Sequence, residues 1–134
     1  MKKLLILVTV LLINLEVYAG TIYYEKEYQK VWCQNHNGQT EVILPDKARV
    51  DCVTENYAIE FDFAKKWGES IGQALYYALT LNKKAGIVLI MENGNNDTGY
   101  LARVNKVAKS HNITVWTMTP EDMKYSGIKP HKRY

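Results

Sequence analysis

The chain is 134 residues long and carries a formal net charge of +3. Once a leader is set aside, that length excludes two ordinary domains, and so weak a balance excludes arguing for a nucleic-acid partner from charge alone. Two cysteines, with His36 and His111 not at ligand spacing from them, make a poor zinc site.

Residues 1–19 read as a secretory signal peptide. Lys2 and Lys3 form a positive n-region, and Leu4 to Ile13 is apolar apart from Thr9. Val17-Tyr18-Ala19 then supplies a signal-peptidase site. The apolar run of about ten residues falls short of the roughly twenty that span a bilayer. An uncleaved anchor is the alternative, and no cysteine follows Ala19 to carry a lipid. Removing Lys2, Lys3 and Glu16 lowers the charge by one, to +2. The expected product is one exported domain, residues 20–134, periplasmic or secreted. Its basic end, Lys129, His131, Lys132 and Arg133, is either a solvated tail or a phosphate contact. In an oxidising compartment Cys33 and Cys52 pair by default, with free buried thiols as the alternative. Closing that loop of about twenty residues contributes roughly 3 kcal/mol in the chain-entropy model.

In chain order, Ile22 to Trp32 reads as a modest helix, and Asn35-His36-Asn37-Gly38 as a turn. Three strands follow, Gln39 to Leu44, Ala48 to Val53 and Tyr57 to Phe63. Their close spacing suits an antiparallel meander. Lys66 to Leu81 is the clearest helix, with Trp67, Ile71, Ala74, Leu75 and Ala78 on one apolar stripe. Asn82 to Gly86 ends it. Ile87 to Met91 is a strand buried on both faces, Asn93 to Asp97 a loop, and Gly99 to Ser110 a helix with Leu101, Val104, Val107 and Ala108 inward. Ile113 to Met118 is the last strand, and Thr119-Pro120-Glu121 opens a terminal turn. There are no repeats or low-complexity tracts. The expected class is α/β, a mixed central sheet flanked by helices in the order αβββαβαβ.

Strand alternation puts Glu60 and Asp62 on one face of the third strand with Ala58, opposite Ile59, Phe61 and Phe63. Two carboxylates inside a central strand are costly unless paired or metal-bound. Asp51 alternates with Val50 and Cys52, which puts the carboxylate and the cysteine on different sides of the sheet. Glu41 could add a further oxygen. Such a set suits Mg²⁺ or Mn²⁺. The plain alternative is a solvated acidic face paired with Lys65, Lys66 or Arg49. On the following helix Lys66, Ser70, Gln73 and Tyr77 fall near one line beside the apolar stripe.

Taken in order, Gly38-Gln39-Thr40-Glu41, Arg49-Val50-Asp51, Ile59-Glu60-Phe61-Asp62 and Gly72-Gln73-Ala74-Leu75-Tyr76-Tyr77 resemble the PD-(D/E)XK nuclease superfamily, in branches with a Gln-x-x-x-Tyr helix motif. The resemblance covers residues 38–78. It implies a restriction-endonuclease-like fold and a metal-dependent endonuclease on nucleic acid, DNA above RNA, with homodimers common among relatives. Asp51 then matches the metal-binding aspartate and Glu60 the acidic residue of the (D/E)-x-K motif. Glu41 matches an auxiliary ligand, a part that Glu25 or Glu27 could also take. Gln73 and Tyr77 match the helical pair near nucleic acid, with Lys65 and Arg49 as further contacts. Where the motif calls for lysine this chain has Asp62, a further metal ligand or the partner of a migrated lysine. Lys66 is the first substitute and Lys65 the second. A non-catalytic nucleic-acid-binding or envelope interaction module on the same fold is the competing expectation.

Overall fold

The structure, a computed structural model, describes residues 20–131. The expected signal peptide, and Lys132 and Arg133 of the basic tail, lie outside the described residues. Helix α1 (Glu25–Asn35) leads into strands β1 (Gln39–Ile43), β2 (Arg49–Val53) and β3 (Tyr57–Phe63). A 3-10 turn (Ala64–Lys66) then opens α2 (Trp67–Leu81), followed by β4 (Lys84–Ile90), α3 (Thr98–His111) and β5 (Ile113–Met118). The strands lie side by side in chain order; β1, β2 and β3 are antiparallel, and β3, β4 and β5 parallel. This is the expected mixed α/β sheet.

Alternation along the central strands sorts the apolar residues into two cores. Ala58, Ala85, Ile87 and Leu89 face α2 and α3, packing with Ala74, Tyr77, Ala78, Val104 and Ala108. Ile59, Phe61, Val88 and Ile90 face α1, packing with Tyr28, Trp32 and Cys33. Glu60 and Asp62 therefore lie on the α2 side.

Several boundaries shift by a residue from the sequence reading, α1 runs three residues further, to Asn35, and two element starts move by three. Helix α1 begins at Glu25 rather than Ile22, because the Glu92 carboxylate accepts the Ile22 and Tyr23 amides and Glu27 reaches back to that of Tyr24. Strand β4 begins at Lys84 rather than Ile87, since Lys84, Ala85 and Gly86 pair in register with Tyr57, Ala58 and Ile59. Gly86 fits there for want of a side chain; a Cβ would meet the Trp116 ring at 2.8 Å.

Cys33 and Cys52 form a disulfide with Cα atoms 5.9 Å apart, inside the range a bridge allows. Among the described residues no helix is long and apolar enough to cross a membrane.

Candidate metal centre

The β1–β2 hairpin does not continue the sheet as a flat ribbon. Thr40 pairs with Cys52 and Val42 with Val50, but Glu41 and Asp51 between them are left out of the ladder, and Glu41 takes a left-handed φ of 57°. A non-glycine residue there signals a local break. Across it the facing changes. Cys52 packs in the α1 core, whereas Val50, Val42 and Leu44 pack in the α2 core. The expectation that Val50 and Cys52 share a face is thus corrected. The hairpin tip bends over α2, where Asp46 of its loop accepts the Tyr76 hydroxyl.

The bend also parts β2 from β3. Only Cys52–Ile59 and Val53–Ala58 pair, while β3 pairs with β4 along its whole length. Asp51, where the strands separate, uses its side chain instead: Oδ2 accepts the Phe61 amide at 2.8 Å. Its carbonyl accepts the side-chain amide of Gln29, a buried residue of α1. Extending the register by one residue sets Asp51 beside Glu60, and their carboxyls are hydrogen-bonded.

Two touching carboxyls must hold a proton between them, and burial adds to that demand. Desolvation comes first in raising both groups, and the Asp51 charge then pushes Glu60 further up. Glu60 is 6% exposed, and its Oε2 is a buried side-chain oxygen with no hydrogen-bond partner. Asp62 is buried too. Desolvation, then the Glu25 charge, raise it to about 7, while Lys66 pulls it down. Glu25, half-buried at the start of α1, is raised by burial and by Asp51 and lowered by Lys66. Tyr77 on α2 is raised to about 12 by desolvation and then by Glu60 and Asp51, so its phenol borders the pair.

Glu60 and Asp62 lie toward the carboxyl end of β3, on the α2 side of the sheet. Asp51 and Glu60 are brought together, with Asp62, Tyr77 and Glu25 of α1 near enough to interact with them through charge. Glu27 is committed elsewhere: it caps Tyr24 and pairs with His131 at 2.9 Å. Glu41 stands at the rim, in an exposed ion pair with Arg49 at 2.6 Å. That pairing engages both residues, although the Glu41 charge still reaches Asp51 and Glu25. Lys66 is exposed and acts on Asp62 and Glu25, whereas Lys65 is exposed and acts on neither. Gln73 is exposed and makes no hydrogen bond to the carboxylates; Ser70, on its expected line, is buried and donates to the Trp67 carbonyl. Gln29 carried no sequence signal beyond standing four residues before Cys33.

The donor set is all oxygen, and an orphaned, buried Glu60 oxygen is the atom a cation would satisfy. On that chemistry the residues fit a hard divalent ion. Among the described residues no group of three or more His, Cys, Asp or Glu stands gathered to hold a metal as they lie. No protein-family model, no curated protein and no solved structure matches this chain.

Proposed function

We propose that this domain is an exported metal-dependent endonuclease hydrolysing nucleic-acid phosphodiester bonds, with DNA the first candidate substrate and Mg²⁺ or Mn²⁺ the cofactor. The observation that carries the reading is the Glu60 carboxyl. It is buried against Asp51 with one oxygen unpartnered and two further carboxylates, Asp62 and Glu25, close enough to raise its proton affinity. A protein core tolerates such a cluster when something positive is to be held there. The disulfide is compatible with an oxidising, extracytoplasmic location.

Asp51 and Glu60 would be the principal ligands, with Asp62 or Glu25 completing the set. A divalent ion held there would polarise a phosphoryl oxygen and acidify a water. The two ligands would give up their shared proton on loading, so binding is favoured as pH rises. Lys66 acts on Asp62 and would offer a cation to the charge that develops on phosphorus. Tyr77 borders the acidic pair on the α2 side. For the strand itself, α3 supplies Arg103, Lys106 and Lys109 with no acidic residue between Thr98 and His111. Arg103 lies over the Trp67 and Tyr100 rings, which puts this cationic face beside Lys65 and Lys66.

A non-catalytic nucleic-acid-binding module is favoured by one observation, Asp62 in place of the motif lysine. Purified mature protein incubated with plasmid, single-stranded DNA or RNA, in Mg²⁺, Mn²⁺ or EDTA, separates the two. Metal-dependent cleavage that EDTA abolishes is expected. Binding without cleavage under every metal would give the domain to the second reading.

A further inference from the structure

Glu25, Gln29 and Cys33 stand at steps of four along α1, on one line of the helix. All three engage the same short stretch of β2. Cys33 is bonded to Cys52, Gln29 donates to the Asp51 carbonyl, and Glu25 feels the Asp51 charge. The fit around the bridge is tight. Both cysteines are fully buried, and a Cβ on Gly38 would lie 2.6 Å from either sulfur. At Asp51 the strand has left β3, and although Val50 and Cys52 on either side still pair with Val42 and Thr40 of β1, the Asp51 carbonyl itself is held from α1 by Gln29. The Asp51 side chain is held by the Phe61 amide and by the Glu60 carboxyl.

We propose that the Cys33–Cys52 bridge licenses the site: oxidation locks the α1 line against β2 and so fixes Asp51, and without that lock Asp51 is loose. Gln29 is a positioning residue in this scheme. The consequence rests on the nuclease reading: a chain still in a reducing cytoplasm would not cut the nucleic acid around it. The chemistry is thiol–disulfide exchange with a disulfide donor, either a small-molecule disulfide or an oxidised dithiol protein. One cysteine thiolate attacks the donor to give a mixed disulfide, and the second displaces it. Cys33 and Cys52 together lose two electrons and two protons, and the donor leaves as two thiols.

The Phe61 amide proton, held by Asp51 Oδ2, is the reporter. Its hydrogen exchange is followed by NMR in the metal-free mature protein, bridged and after reduction with dithiothreitol. Reduction should speed exchange at Phe61 by about tenfold or more, while Val88 and Leu89 in the central strand keep their protection. Equal protection of Phe61 in the two forms would overturn the proposal. Should reduction melt the chain, so that Val88 and Leu89 exchange as well, Gln29→Met in the bridged protein decides. That change keeps the side-chain volume and removes the donor. Faster exchange confined to Phe61 and its neighbours supports the proposal, and unchanged exchange there overturns it. Neither metal nor nucleic acid takes part, so a bridged chain that cuts nothing would sink the nuclease reading while leaving this result to stand or fall alone.

Discussion

The Asp51 carboxylate stands in for a piece of strand: its Oδ2 takes the Phe61 amide at 2.8 Å, where a flat β2 would present a backbone carbonyl. A bond to that amide fixes the carboxylate against β3, and the next residue back along β3 is Glu60. The pairing of the two acids is thus built by the break in the hairpin, with left-handed Glu41 on one side and Gln29 accommodating the freed carbonyl on the other. The Phe61 amide thus holds the Asp51 carboxylate oriented beside Glu60.

Metal-free protein should lose stability as pH rises. Asp62, Asp51 and Glu60 all have folded pKa values above their unfolded ones. Their contribution is fully present below about pH 4 and is lost as pH rises through the folded values, for Asp62 through about 7. Thermal midpoints measured in EDTA should fall between pH 5 and pH 8, and Mn²⁺ should recover the loss at pH 8. Glu60→Gln, nearly isosteric with the protonated acid, should abolish cleavage and flatten that pH dependence. A variant with full activity would remove Glu60 from the site.

Gly38→Ala should destabilise the bridged protein by roughly 1–3 kcal/mol, the usual cost of overpacking a core. The added methyl would press on both sulfurs, which are buried and cannot turn away. Urea denaturation checks it. In the Cys33→Ala/Cys52→Ala background the same glycine change should cost much less, because the crowding atoms are gone.

Much of this arrangement was legible in the residues. Turn residues separated β1, β2 and β3, alternation put Glu60 and Asp62 on one face of β3, and the apolar stripe from Trp67 to Ala78 marked α2. The neighbourhood of Asp51 and Glu60 followed from a short meander. What escaped were departures from ideal geometry. Alternation assumes a flat strand, so it put Val50 and Cys52 on one face, and a glutamate at position 41 gives no sign that it will turn left-handed. Lys84-Ala85-Gly86 has a loop's composition, and only pairing with Tyr57 to Ile59 makes it strand. Gln73 sat on the right helical line in projection, yet the line from Lys66 to Tyr77 spans both exposed and buried positions. Gln29 is a polar residue in a charged helix, and its burial becomes visible only once Cys33 fixes which face turns inward.

Binding to a DNA duplex should fall steeply with salt, and each phosphate-contacting cation should account for about 0.9 of the slope of log affinity against log salt. Arg103→Ala, Lys106→Ala and Lys65→Ala should each lower the slope by about that amount. Fluorescence anisotropy over a salt series, in Ca²⁺ to prevent cleavage, is the measurement. Wild-type slopes in all three variants would take α3 out of the interface.

Lys66 should matter to turnover in a way that Lys65 does not. On the proposed nuclease reading Asp62 stands where the resembled motif has lysine, and a carboxylate cannot stabilise negative charge growing on phosphate. A cation must then come from elsewhere, and Lys66 is the one whose charge reaches both Asp62 and Glu25. It stands at the junction of the 3-10 turn and α2, exposed, on a long flexible stem that can swing toward the carboxylates. Lys65, one residue back, is exposed and acts on neither carboxylate. Lys66→Ala should therefore lower the rate of cleavage by about 10²–10³, as loss of a transition-state donor does, with substrate affinity and thermal midpoint nearly unchanged. Lys65→Ala should leave the rate within about threefold and show its effect in salt dependence instead. Single-turnover kinetics with a supercoiled plasmid resolve the two, and a Lys66→Ala protein cutting at the wild-type rate would end the role given to this lysine.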